Sequence, residues 1–122
     1  MPALRHLFVL LIAACCALPA FADGAFVAGT NDLPLMPGLT EIDGTSTVFD
    51  KPSGRIVEAY ATGKGLSTAD LVKFYVATLP QLGWRRGGDL YFERGKEQLL
   101  LTPMEDGGRL TVRFNLSPLT AH

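Results

Sequence analysis

The stretch from Ser67 to Trp84 carries the one strong helix signal beyond the N-terminal leader, and it limits what the chain can fold into. Ser67 suits an N-cap, Asp70 stands where its carboxylate reaches back to the cap, and Leu66 and Leu71 suit a hydrophobic staple. Leu71, Phe74, Tyr75 and Leu82 share one helical stripe, flanked by Val72, Val76 and Leu79. Pro80 removes a backbone bond near the end, and Gly83 suits a left-handed cap that turns Trp84 back on Leu79. One helix with one apolar stripe has to bury that stripe against another element, and the rest of the chain reads as short strands and turns. The predicted fold is therefore α+β: a single domain with an antiparallel sheet and one helix packed on one face, in the order ββα and then a β-meander.

The turns set the strand registers. Thr45–Asp50 and Arg55–Thr62 read as two strands around Lys51-Pro52-Ser53-Gly54. Val57, Ala59 and Ala61 form one face of the second strand, small enough for a helix to approach. Ile56, Glu58 and Tyr60 form the other, and period alone does not choose between them. The small face is the one expected to meet the helix. Beyond the helix, a two-residue loop at Gly95-Lys96 pairs Arg94 with Glu97, Phe92 with Leu99 and Leu90 with Leu101. A turn around Asp106-Gly107 then pairs Leu101 with Val112 and Leu99 with Phe114. Both hairpins place Leu90, Phe92, Leu99, Leu101, Leu110, Val112, Phe114 and Leu116 on one inner face. Gly87-Gly88 offers a further turn, with Trp84 to Arg86 as a short extra strand.

Residues 1–22 read as a secretory signal: Arg5 and His6 are followed by the apolar run Leu7–Leu18, Pro19, and the small-x-small site Ala20-Phe21-Ala22. Cleavage is predicted after Ala22, which points to a periplasmic or secreted protein. Ile12-Ala13-Ala14-Cys15 also resembles a lipobox, so a lipid anchor at Cys15 is the alternative. The apolar run falls short of the roughly 20 residues that span a bilayer, and no later stretch approaches that length, so no transmembrane span is expected. Residues 23–39 form a Pro/Gly-rich extended strap or linker, and residues 40–118 the α+β domain. Leu33, Leu35 and Met36 lie among prolines in the strap, either as core contacts or as a docking segment for a partner.

Several function classes lose support on composition. Both cysteines, Cys15 and Cys16, and His6 belong to the leader, leaving His122 as the one other histidine. That removes thiol and Ser-His-Asp nucleophile sets and leaves no metal site or cofactor motif. Without Arg5, twelve acidic side chains face ten basic ones, a balance near −2 that argues against a nucleic-acid partner. Glu58 and Glu93 are the strand carboxylates a hydrolase would use.

The sharper signal is on the outer sheet face. Carrying the registers through Gly87-Gly88 aligns Trp84, Tyr91, Leu100 and Arg113 in one row, which is either an interaction surface, since aromatic residues and arginine dominate interface energetics, or a row hidden by Trp84 turning into the helix end and the proline strap covering the rest. The leading expectation is a non-enzymatic exported envelope protein that binds another protein or an envelope component through this face or an edge strand. A periplasmic carrier of a small apolar ligand or lipid, held between helix and sheet, is the alternative, and a hydrolase using Glu58 and Glu93 the second.

Asp32-Leu33-Pro34-Leu35-Met36-Pro37-Gly38-Leu39, then Gly54-Arg55-Ile56-Val57-Glu58-Ala59, then Phe74-Tyr75 with Leu79-Pro80-Gln81-Leu82-Gly83-Trp84, resemble small uncharacterised exported proteins of Gram-negative bacteria. The resemblance spans most of residues 32–116. It implies a fold and an exported location, and brings no activity, ligand or catalytic residue with it.

Overall fold

Ser67 begins the helix as its residue types require. The Asp70 amide donates to Ser67 Oγ (3.1 Å) and the Ser67 amide donates to Asp70 Oδ2 (2.9 Å), closing a reciprocal capping box. In the computed structural model, which describes residues 25–119, this cap opens α1 (Thr68–Thr78). The predicted leader, with Cys15, Cys16 and the cleavage site after Ala22, lies outside the described residues, as does His122.

Pro80 lets α1 run on only as a 3-10 turn over Leu79–Leu82, ended by Gly83 at φ 93°. The Trp84 amide donates back to Leu79 O at 3.1 Å, the expected Schellman contact. The tighter winding carries Leu82 off the stripe, so it is exposed, whereas Leu71, Tyr75 and Leu79 are fully buried.

The strands are β1 (Thr40–Glu41), β2 (Thr47–Lys51), β3 (Gly54–Lys64), β4 (Arg85–Gly88), β5 (Tyr91–Arg94), β6 (Glu97–Asp106) and β7 (Arg109–Pro118). They form one antiparallel sheet in the order β1-β3-β7-β6-β5-β4, with β2 also paired to β3. The chain leaves β3 through α1 and returns as a meander whose last strand, β7, pairs with β3. The fold is thus the α+β single domain with one helix on the sheet that the sequence pattern implies.

The small face of β3 is the inner one, turned into the core. Val57, Ala59 and Ala61 are buried in one core with Leu71, Tyr75, Leu79, Phe92, Leu99, Leu101, Leu110, Val112, Phe114 and Leu116. The Tyr75 ring stands edge-on to Phe114 at 6.0 Å and to Phe74 at 4.8 Å.

Two registers differ from expectation. The β6–β7 loop is Gly107-Gly108, at φ 61° and 81°, since a turn with two left-handed residues accepts glycine at both and would strain Asp106. Leu101 consequently pairs with Phe114 and Leu99 with Leu116. This shift of two residues keeps each residue on its predicted face. The β4–β5 turn falls at Asp89-Leu90 rather than Gly87-Gly88, with an irregularity between Arg86 and Gly88. That is an odd shift, and it sends Trp84 to the inner face.

The strap lies on the inner side as well. Val27, Leu33, Leu35, Met36 and Leu39 join the core. The Tyr75 hydroxyl donates to Pro34 O (2.7 Å) and accepts from the Met36 amide (3.0 Å). Burial pushes this phenol above its ordinary pKa, against the opposing effect of the Met36 amide, so it stays neutral and keeps its proton to donate. Where the strap crosses β3, a Cβ on Gly63 would sit 2.3 Å from Gly38 O, so glycine is required for this approach.

Glu105 fixes the N-terminal end of α1, accepting the Thr68 amide at 2.9 Å. That backbone hydrogen bond holds its carboxyl below the ordinary carboxylate value.

Both polar contacts can be tested by single substitutions. Tyr75→Phe strands the buried Met36 amide and is expected to cost about 1–3 kcal/mol in urea unfolding. Amide exchange at Met36 should be faster in this variant than in the wild-type protein, and an unchanged rate there would count against the bond. The Glu105 contribution is full above the ordinary carboxylate pKa and is lost as pH falls through the lowered folded-state value. Glu105→Gln is therefore expected to flatten the acid limb of a stability-against-pH curve, and an unchanged limb would reject this role.

Candidate functional site

Since α1 and the strap both occupy the inner side, the outer sheet face has no covering element among the described residues. Period-2 alternation puts Thr47, Phe49 and Lys51 of β2 on this face, with Ile56, Glu58, Tyr60 and Thr62 of β3 and Thr111, Arg113, Asn115 and Ser117 of β7. β6 adds Gln98, Leu100, Thr102 and Met104, and β5 adds Tyr91 and Glu93.

The structure brings together some of the expected row. Tyr91 pairs with Leu100, but Leu100 then pairs with Asn115, and Asn115 with Glu58. Arg113 lies one row over, between Tyr60 and Thr102. Trp84 is absent from the row: it is 3% exposed, on the inner face, with the Arg94 guanidinium 4.4 Å above its ring. Its indole nitrogen has no protein hydrogen-bond partner among the described residues. Arg94 also donates to Asp32 Oδ2 (2.9 Å) and Leu82 O (3.0 Å), tying the strap to the end of the helix. Leu33, Leu35 and Met36 are buried against the core and are not presented at the surface.

The polar groups of the outer face are largely paired with one another. Arg113 Nε donates to Glu58 Oε2 at 2.8 Å, and its Nη2 reaches the same oxygen. The hydrogen bond to Glu58 raises the Arg113 pKa, so this pair is firmly ionic. The Tyr91 hydroxyl donates to Glu93 Oε2 at 2.7 Å, with Gln98 Oε1 at 2.8 Å, and the bond to the Glu93 carboxylate raises the phenol pKa. Gln98 Nε2 donates to Ser117 Oγ (3.1 Å), and the hydroxyls of Thr62 and Thr111 lie 3.2 Å apart.

Between these pairs stand apolar side chains with no partner among the described residues. Phe49, Met104 and Leu100 are 63%, 57% and 44% exposed, and Ile56 and Tyr60 are half-buried beside them. Phe49 and Met104 are the residues that sequence reasoning misses. A signal for Phe49 is present, because the loop over Pro52-Ser53 pairs it with Ile56 on the face opposite Val57. A signal for Met104 is present too, because a turn at Asp106-Gly107 carries its strand past Thr102 and gives Met104 the parity of Leu100.

Glu58 and Glu93 do not converge. They stand on β3 and β5, three strand positions apart, which is about 14 Å across a sheet of ~4.8 Å spacing. Carboxylate pairs that cleave glycosides lie within about 5–9.5 Å of each other. The space between helix and sheet, where an apolar cargo would sit, is filled by Leu71, Tyr75, Leu79, Phe92 and Phe114. A shallow, open groove lies instead between α1 and the strap, lined by Met36, Pro37, Asp70, Lys73, Phe74 and Ala77. Among the described residues no group of three or more His, Cys, Asp or Glu is placed to hold a metal, and no helix is long and apolar enough to cross a membrane.

Comparison with known proteins gives no match: no family model matches the chain, and neither a curated protein nor a solved structure is found similar to it.

The Arg113–Glu58 pair is partly open to water, so its contribution is that of a surface ion pair. A double-mutant cycle with Arg113→Ala and Glu58→Ala is expected to give a coupling of roughly 0.2–1 kcal/mol that shrinks with added salt. Such a value leaves both side chains free to be exchanged in binding studies without loss of the fold.

Proposed function

We propose that the protein is a non-enzymatic, exported binding module of the bacterial envelope that holds another envelope protein on its outer sheet face. The observation that carries this reading is the one-sided construction. Helix and strap together finish the inner core, while Phe49, Ile56, Tyr60, Leu100 and Met104 stand on the opposite face without cover among the described residues. A sheet face left only to water would alternate polar residues at these positions.

The chemistry of the face suits a protein partner. Apolar anchors lie among paired charges and amide groups, so a docking surface gains from burying the anchors while Arg113–Glu58 in their midst and Tyr91–Glu93 beside them are already satisfied. Tyr91 and Arg113 remain part of this surface, joined by Phe49 and Met104. Trp84 contributes from beneath, by packing the end of α1 and the start of β4. The exported location is supported by the signal-like leader, by cysteines confined to it, and by the resemblance to exported proteins of Gram-negative bacteria.

A photo-reactive residue at position 100 tests the proposal in cells, with one at Lys73 on the helix as the control. The expected outcome is an adduct of defined mass from position 100, absent from position 73 and lost on Met104→Lys. Equal labelling from both positions, or none from position 100, would reject the outer face as the binding surface.

A further inference from the structure

The two edges of the sheet meet solvent differently. β4 carries Arg85 and Arg86 and a register irregularity before Gly88, devices that discourage a further strand. β2 has an unbroken five-residue ladder with β3, no proline and no bulge, and all five of its residues are exposed. Among the described residues nothing pairs with its other side.

The backbone of that open side can be assigned. The Ile42 amide donates to Tyr60 O, and the Tyr60 amide points at Thr45 Oγ1, so the even-numbered residues of β3 direct their backbone groups toward β1 and β2. Ile56 and Glu58 therefore form the hydrogen-bonded pairs with Phe49 and Thr47. Alternation then points the amide and carbonyl of Val48 and Asp50 outward, to the open edge.

We propose that this edge pairs with β2 of a second copy of the chain, antiparallel and centred on Phe49, joining two sheets into one. Opposed residues must share a face, which restricts the register to steps of two. Centring on Phe49 overlaps all five residues of both strands. Val48 then exchanges both backbone hydrogen bonds with Asp50 of the second copy, and by symmetry Asp50 does so with Val48. The two Phe49 side chains become a non-hydrogen-bonded pair, the closer kind, and extend an apolar row from Ile56 of one copy to Ile56 of the other. Lys51 falls opposite Thr47 of the second copy, and Asp50 opposite Val48, so no like charges face each other across the seam. A step one way sets Asp50 against Asp50, and a step the other way leaves Lys51 without an opposing strand residue. Charge and overlap thus favour the same register, and this match of the strand with itself is the ground for a second copy as the partner.

The inference concerns the edge and needs no partner on the outer face, so either can fail alone. A strand pair this short buries less than a standard interface, and the dissociation constant is expected in the micromolar range or weaker. Sedimentation of the purified protein from about 1 µM to 1 mM is expected to show mass rising toward a dimer. Phe49→Lys sets like charges opposite each other and is expected to weaken that association roughly tenfold or more. In a background with Cys15→Ser and Cys16→Ser, Phe49→Cys is expected to oxidise to a disulfide dimer, because directly opposed residues lie within the ~4.4–6.8 Å Cα range of a disulfide. Leu100→Cys is expected to stay largely reduced. A protein that remains monomeric throughout the range, or oxidises equally at both positions, overturns the proposal. A monomer that instead takes up an extended peptide at β2 overturns it in favour of a different strand donor.

Discussion

The Tyr75 hydroxyl reaches from the helix to two backbone groups of the strap, Pro34 O and the Met36 amide, and the rest of the inner layer depends on those two bonds. Pro34 and Pro37 have no amide to donate, so this segment makes a poor sheet strand. Its apolar side chains can enter the core only if its remaining buried backbone groups find partners elsewhere. A phenol can donate and accept at once, which is what one carbonyl and one amide require. The bulk of the same side chain fills the space between helix and β7, against Phe114. One residue thus serves both the helix–sheet contact and the strap–helix contact.

That arrangement makes the protein one-sided. Val57, Ala59 and Ala61 turn the small face of β3 into the core, Gly63 admits the strap, and Arg94 closes the layer by joining Asp32, Leu82 O and the Trp84 ring. Among the described residues every large element other than the sheet is consumed on the inner face. The outer face has to manage with cross-strand pairs, and it does so for Arg113, Glu58, Glu93 and Gln98 but not for Phe49, Leu100 and Met104. These residues add nothing visible to the core, and that is why the proposed binding surface is built on them.

Turn chemistry explains which parts of this were legible in the sequence. The Ser67 cap, the stripe on α1, the Gly95-Lys96 hairpin and the inner-face set each rest on a local signal, and each is found in the structure. The Gly107-Gly108 turn moves its register by two, which leaves faces intact and changes only which residues stand opposite; Arg113 accordingly leaves the Leu100 row without leaving the face. The β4–β5 turn moves by an odd number, and Trp84 changes sides. The dipeptide Gly87-Gly88 resembles a turn, yet it belongs to an irregular strand, with Gly87 against the Tyr91 ring, where a Cβ would come within 3.0 Å. Pairing between β3 and β7 joins residues far apart in the chain, and no local pattern announces it.

The outer face and the open edge meet at Phe49, which belongs to both. Its side chain lies on the face beside Ile56, while its backbone is already engaged with β3. The edge itself is supplied by the backbone of Val48 and Asp50, whose side chains lie on the other side of the sheet. Face and edge therefore use different atoms, and a partner on one does not block a strand on the other by competing for hydrogen bonds. Joining two sheets at β2 would instead lengthen the outer face across the junction, with Phe49 at its centre and the Leu100 and Met104 positions farther out on each half. A surface built this way presents two equivalent sites, and weak contacts at each reinforce one another when a partner carries matching repeats.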